Sequence, residues 1–227
     1  MTVSAVIPAY NEEETIGETV AALRGIDLIA EVIVVDDGSN DLTAAVAAAA
    51  GAKVIKLPRN CGKAAALAAG AAGAKGDILC FADADLGFSA AEFCRLLPPV
   101  LSGHADMTVA LFPKALKSGG FGLVKALAGW GIKRLTGCRV CSPLSGQRVL
   151  RKFVWERAAP YLTGFGAEAG MTIVCLREGF SFLEIPVEMQ HRETGRDLAG
   201  FCHRGMQFFD LLKTLMALWL RGKARAT

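Results

Sequence analysis

A chain of 227 residues with 52% hydrophobic, 21% charged and 7% aromatic side chains can fill one globular core, and that balance excludes a disordered chain. A second large domain is not expected at this length. Lys and Arg total 25 against 22 Asp and Glu, a formal net charge of +3, so the cationic surplus that marks a nucleic-acid binder is missing.

Residues 1–8 carry no basic stretch ahead of a long apolar core, which argues against a signal peptide and for a cytoplasmic place. Runs 3–8, 31–36, 53–57, 77–82 and 106–112 are short and β-rich, and the stretches between the first four are Ala- and Leu-rich helix formers. This alternation predicts an α/β domain with a mostly parallel central sheet and helices on both faces. The alanine tracts at 44–50 and 64–74 fit helices packed closely on that sheet. After residue 112 the alternation stops. Residues 118–137 predict a loop leading into an amphipathic helix around Trp130 and Lys133-Arg134; 144–150 and 181–190 are strand candidates, 153–162 and 168–178 helix candidates. Apolar residues at 208, 211, 212, 215, 216 and 219 keep helical spacing within 203–221, ahead of a basic tail of Arg221, Lys223 and Arg225. Docking of that helix on the core is the expectation, with a membrane-surface role as the alternative. No run reaches the roughly 18 apolar residues of a membrane span.

The seven cysteines, at 61, 80, 94, 138, 141, 175 and 202, are odd in number and scattered, so reduced thiols are expected. Cys138 and Cys141 form a C-x-x-C, yet no second Cys or His pair follows at zinc-ribbon spacing.

Ligands of open α/β sheets bind beyond the carboxyl ends of the strands. Four turns should open there: Pro8-Ala9-Tyr10-Asn11-Glu12, Asp36-Asp37-Gly38-Ser39, Arg59-Asn60-Cys61-Gly62-Lys63 and Asp83-Ala84-Asp85. Alternate carboxylates such as Asp83 and Asp85, ending an apolar run, can share a hard divalent cation with a diphosphate; a solvated turn is the plain alternative. Asp36 and Asp37 can accept hydrogen bonds from a ribose or a base, or cap the next helix. Gly62-Lys63 at a helix start offers backbone N–H groups and a cation to a phosphate, without the spacing of a P-loop.

Taken together, Val6-Ile7-Pro8-Ala9-Tyr10-Asn11-Glu12, Val34-Val35-Asp36-Asp37-Gly38-Ser39, Asn60-x-Gly62-Lys63 and Asp83-Ala84-Asp85, in this order and spacing, resemble the nucleotide-sugar half of family 2 glycosyltransferases of GT-A fold. Leu144-Ser145-Gly146-Gln147-Arg148 is similar to the acceptor-side segment of polyprenyl-phosphate glycosyltransferases and glucosyl-3-phosphoglycerate synthases. Gly164-Phe165-Gly166-Ala167-Glu168 and Gln190-His191-Arg192 are more similar to the latter group. The chain departs from that group in lacking its long N-terminal extension and in the residues that follow His191-Arg192.

The resemblance implies a GT-A domain divided at about residue 112 into a nucleotide-sugar half and an acceptor half (113–202), with 203–227 as a terminal helix and tail. It implies transfer of a hexose from a UDP- or GDP-sugar to a phosphate-bearing or polyprenyl-linked acceptor, assisted by Mg2+ or Mn2+. Asp83 and Asp85 would hold metal and nucleotide, with His191 joining Asp85 on the metal. Pro8, Ala9, Tyr10, Glu12, Asp37, Gly62, Lys63 and Ala84 would line the nucleotide sugar, with Glu12 and Asp37 on base or ribose and Lys63 on phosphate. Gly146, Gln147, Arg148, Arg192 and Arg196 would face the acceptor and phosphates. Glu168 would take the acceptor proton in an inverting enzyme or orient the sugar in a retaining one. Each has a plain alternative: Glu168 a first-turn acid favoured by its helix dipole, His191 a surface histidine, Arg148 a solvated strand charge. Peripheral membrane contact and a homodimer are open, and no nucleic-acid partner is expected. Two rivals remain: a nucleotidyltransferase, which should carry a Gly-rich basic signature after its first strand, and a non-catalytic sugar-nucleotide binder.

Overall fold

The computed structural model describes residues 1–112, 122–162, 164–189 and 208–220. Among these, seven strands form one sheet: β1 (Val3–Ala9), β2 (Glu31–Asp36), β3 (Lys53–Lys56), β4 (Ile78–Phe81), β5 (Met107–Leu111), β6 (Arg148–Arg151) and β7 (Phe182–Pro186), in the spatial order β3-β2-β1-β4-β6-β5-β7. All pairings are parallel except those of β6, which runs antiparallel to both β4 and β5. The helices are α1 (Ile16–Arg24), α2 (Thr43–Ala49), α3 (Lys63–Gly73), α4 (Phe93–Leu101), α5 (Leu123–Thr136), α6 (Lys152–Ala158), α7 (Ala167–Arg177) and α8, residues 208–220.

The period of two along a strand decides which face each residue feeds. Val3, Ala5, Ile7 and Ala9 of β1 pack with α1, α2 and α4 on one side of the sheet. Val6, with Ile33 and Val35 of β2, packs with α3, α5, α6, α7 and α8 on the other. Strands covered on both faces lose their polar alternation, and β1 and β2 are apolar almost throughout for that reason.

The element boundaries differ from the sequence expectation where a partner or a proline intervenes. β6 begins at Arg148 rather than 144 because Arg148 pairs with Phe81, the last residue of β4. β7 ends at Pro186 rather than 190 because β5, its partner, ends at Leu111. The helix expected over 153–162 gives way after Ala158 to a short 3-10 turn, Ala159–Tyr161, at Pro160, which has no N–H for the α-helical bond. In α8 the buried stripe is Leu211, Thr214, Leu215 and Leu218. Residues 208, 216 and 219, expected on the apolar face, point outward instead.

The antiparallel strand matters most for function. It runs from the carboxyl end of β4 toward its start, so the segment just before it, 144–147, crosses over the turn that follows β4.

Candidate active site

The three turns after β1, β2 and β3 are stitched into one floor. Asp37 N–H donates to Ala9 O at 2.8 Å. Asn11 N–H donates to Ser39 Oγ, and Asn40 N–H to Asn11 Oδ1. Asn11 itself sits at φ 55°, a left-handed conformation that asparagine tolerates. Glu12 N–H donates to Thr43 Oγ1 at 2.8 Å. Gly38, at φ +75°, lies so close to the third turn that a Cβ there would come within 2.6 Å of the Arg59 carbonyl carbon. The buried Asp37 carboxylate then accepts Cys61 N–H at 2.7 Å and Gly62 N–H at 2.8 Å, fixing the turn that leads into α3.

That turn delivers Lys63. Its Nζ lies 2.6 Å from Asp83 Oδ1 and 2.9 Å from Glu168 Oε1, joining the turn after β4 to the first turn of α7. Burial by itself would lower the ammonium's pKa, but the Asp83 and Glu168 carboxylates outweigh it and hold the group well above the ordinary lysine value. The other Asp83 oxygen accepts Gln147 Nε2–H at 2.8 Å. A Cβ on Gly146 would stand 2.7 Å from Asp83 Oδ2 and 2.8 Å from Lys63 Nζ, so the backbone passes directly against the ion pair. The turns after β3 and β4 and the first turn of α7 thus meet on one ammonium.

Asp85, half-buried, closes the turn after β4. Its position is held from behind by Thr19 of α1, whose buried hydroxyl donates to Ala84 O at 2.9 Å and accepts Gly87 N–H at 2.9 Å. Among the described residues no three His, Cys, Asp or Glu side chains converge into a protein-only metal cage. Asp85 is a hard oxygen donor of the kind that shares Mg2+ or Mn2+ with substrate phosphates and water, and that chemistry fits an ion completed by a diphosphate.

The family-model comparison decides what this arrangement belongs to: residues 4–136 match the model described as glycosyl transferase family 2. The chain belongs to that family. This family 2 member is 32% identical over 193 residues to the glucosyl-3-phosphoglycerate synthase of Mycolicibacterium smegmatis, covering 76% of this chain and 63% of the relative. It is 42% identical over 105 residues to the undecaprenyl-phosphate 4-deoxy-4-formamido-L-arabinose transferase of Sodalis glossinidius, covering 42% of this chain and 32% of the relative. The chain therefore spans about three-fifths of the synthases, 63% of the first. The crystal structure of the Mycobacterium tuberculosis synthase with Mn2+, uridine diphosphate and phosphoglyceric acid superposes with a TM-score of 0.80 at 26% identity, over 96% of this chain and 78% of that one. The mostly parallel sheet with helices on both faces is the GT-A fold that the motifs implied.

Within the family 2 domain, the residues expected around the nucleotide sugar gather at the carboxyl edge of β1–β4. Pro8 is half-buried, Ala9 and Ala84 are buried, Tyr10 is 42% exposed and Glu12 is half-buried. Glu168 is nearly buried, with 8% of its side chain exposed. Gly146 and Gln147 lie against Asp83, beside the turn that follows β4. Arg148 requires a correction. It is wholly buried, donates from Nε to Ser145 O at 2.9 Å and from Nη1 to Thr172 Oγ1 at 3.1 Å, and so is neither a solvated strand charge nor exposed to an acceptor. Burial pulls its pKa down to about 10, against the opposing field of Glu168. Thr172 Oγ1 in turn donates to Glu168 O, so Arg148 ties the 145–148 corner to the first turn of α7. His191, Arg192 and Arg196 lie outside the described residues.

Three supporting residues escaped the sequence reading: Thr19, Thr43 and Thr172. A hydroxyl on an otherwise apolar helix face was the available signal for Thr19, which lies with Ile16, Val20 and Leu23 on the buried side of α1. The C-x-x-C is exposed, and the Cys141 and Ser142 N–H groups donate to Glu184. Burial pushes the Cys175 thiol up to about 12, which leaves it inert.

Proposed function

We propose that this chain transfers a hexose from a nucleotide sugar, with UDP the favoured nucleotide, to a small phosphate-bearing acceptor, with Mg2+ or Mn2+ bound. The observation that carries the reading is the single ammonium of Lys63 shared by Asp83, from the donor side, and Glu168, from the acceptor side. In the related M. tuberculosis synthase, uridine diphosphate, Mn2+ and phosphoglyceric acid occupy one protein together.

The proposed roles follow from placement. The boundary near residue 112 separates donor and acceptor halves. Asp85, with His191 as the further expected ligand, would hold the ion, which when bound neutralises the departing diphosphate. Asp83, a further expected ligand of the ion, also holds Lys63. Lys63 is the countercharge that meets an incoming phosphate, and Arg192 and Arg196 are proposed beside it. Glu12 and Asp37 take base or ribose, with Asp37 doing so through oxygens that already fix the loop 59–62. Glu168 takes the acceptor proton or orients the sugar, depending on the stereochemistry of transfer.

A polyprenyl-phosphate acceptor is the second reading, favoured by the undecaprenyl-phosphate transferase, whose match covers less than half of this chain. The synthase match extends over 76% of it, which favours the small acceptor. A cytoplasmic place is proposed with either, supported by the exposed free thiols of Cys61, Cys94, Cys138 and Cys141.

The test is UDP release from UDP-glucose with Mn2+ and, in turn, phosphoglycerate, glycerol 3-phosphate and a short polyprenyl phosphate. Acceptor-dependent release with a phosphorylated small molecule, abolished in Asp85→Ala, is the expected result. Binding of UDP without release for any acceptor would leave a non-catalytic binder, and unchanged turnover in Asp85→Ala would remove the metal assignment. Proton NMR of the product then assigns the anomer and, with it, the part played by Glu168.

A further inference from the structure

Two helices of the same layer, α5 and α8, pack together with Leu215 lying over Gly131, where a Cβ would come within 2.6 Å of the leucine side chain. Their inward faces are accounted for by the core. Their outward faces are not: Trp130 is 62% exposed on α5, and Phe209, Met216 and Leu220 are 64%, 56% and 58% exposed on α8. Lone exposed apolar residues need no explanation, but four bulky ones on two adjoining helices do.

The charge on these helices has one sign outward. Lys125, Lys133 and Arg134 are exposed on α5, which contains no acid. Lys213 is exposed on α8 and lies 3.8 Å from that helix's one acid, Asp210, which is half-buried against Gly164. The sequence then continues with Arg221, Lys223 and Arg225. Segments 122–137 and 208–227 therefore hold seven cations and one acid, a net +6 in a chain whose total is +3, so the remainder is net −3.

We propose that the outward faces of α5 and α8 form a docking surface for a bilayer bearing anionic headgroups. Exposed Trp and Phe interleaved with Lys and Arg suit the boundary between acyl chains and acidic headgroups, where the rings sit in the interface and the cations meet the headgroup charge. A second copy of the chain fits less well. A two-fold contact through this face, whether it set α5 against α5 or against α8, would bring cations together with no exposed acid on either helix to pair them. The surface also has a position relative to the site. Asp210 and Thr214 of α8 press on Gly164 and Gly166, in the turn that leads to Glu168, so docking would set the acceptor side of the cleft next to the membrane.

The proposal stands on the helix faces and does not depend on the transfer reaction. Flotation of the full chain with phosphatidylglycerol–phosphatidylcholine vesicles tests it. The chain should float at low salt, stay behind with phosphatidylcholine alone, and lose binding as salt screens the contact. Lys125→Glu/Lys133→Glu/Arg134→Glu and, separately, Trp130→Ser/Phe209→Ser should each weaken flotation about tenfold or more. Circular dichroism and the urea midpoint would verify that both variants fold. Failure to float with anionic vesicles overturns the proposal, as does equal binding to neutral ones. A wild-type dimer in sedimentation equilibrium that Trp130→Ser/Phe209→Ser converts to monomer would also overturn it, by showing that the face joins two copies.

Discussion

Lys63 holds an awkward place for a cation. It opens α3, and the positive end of a helix dipole disfavours an ammonium by about 0.3–1 kcal/mol. Asp83 and Glu168 more than offset that penalty, and removal of the cation would leave two carboxylates facing each other. Lys63→Met should therefore destabilise the fold. Fully buried pairs cost about 3–5 kcal/mol to break; because Lys63 and Asp83 keep 25% and 26% of their side-chain surface, about 2 kcal/mol is expected in urea unfolding. The pH dependence has a definite sign. The folded-state pKa of Lys63 is raised, so its contribution is complete below the ordinary lysine value and is lost only as pH climbs through the higher folded value. The wild-type minus variant difference should be flat from about pH 7 to 9, and a steady decline across that window would contradict the ion-pair account. Gly146→Ala probes the same point by volume. Its Cβ would need the space of the Asp83 carboxylate and Lys63 Nζ, so turnover should fall about tenfold to a hundredfold, as expected for a displacement near 1 Å. The melting temperature should move only by a few degrees, and a variant with full turnover would show that the pair yields freely.

At the scale of elements, the tight seam between α3 and the sheet gives a prediction whose sign opposes propensity. Gly70→Ala should gain about 1 kcal/mol in an isolated helix. In this fold the new methyl would lie 2.3 Å from Val6 Cγ1 and 3.0 Å from Val35 Cγ2. Overpacking costs about 1–3 kcal/mol, so the net change measured by urea midpoint should be destabilising. A stabilised variant would mean that α3 can lift from β1. The helix itself was legible: an alanine tract between two β-rich runs could pack closely on a sheet and do little else. So were β1 to β4, whose apolar runs and polar ends placed the four turns on one edge. The antiparallel insertion of β6 was not, because a four-residue strand, Arg148–Arg151, carries no periodicity that distinguishes direction. Its direction is what brings Gly146 and Gln147 to Asp83 and buries Arg148. The partners of Thr19 were illegible for a related reason: Ala84 and Gly87 are more than sixty residues away. Thr19→Val keeps the shape but leaves Gly87 N–H and Ala84 O without this partner. A loss of about 1–3 kcal/mol is expected, together with weaker Mn2+-dependent UDP binding by calorimetry, because Asp85 lies in the loosened turn.

For the whole molecule, α8 is the element whose role two readings of the sequence contested. Its periodic apolar positions suited both a helix docked on the core and one lying on a membrane, and the structure divides the residues between two faces. Leu211, Leu215 and Leu218 are 0%, 6% and 1% exposed, and Arg177 Nη1 donates to Leu218 O at 2.6 Å while its Nε reaches Leu135 O of α5. One arginine thus clamps α5, α7 and α8 together. Burying three leucines is worth about 1.5–3 kcal/mol each, a large share of a total stability of about 5–15 kcal/mol. The helix is therefore part of the fold that positions Glu168, whatever its outer face meets. The same kind of side chain should then behave in opposite ways around one helix. Leu211→Ala and Leu215→Ala should each cost about 2–5 kcal/mol in urea unfolding and lower the yield of folded chain. Phe209→Ala and Met216→Ala, at outward positions, should stay within about 0.5 kcal/mol of wild type. Equal losses on both faces would show that α8 is covered outside by another part of the folded chain; equal indifference would show that it does not dock at all, and that the turn before Glu168 is held by other contacts.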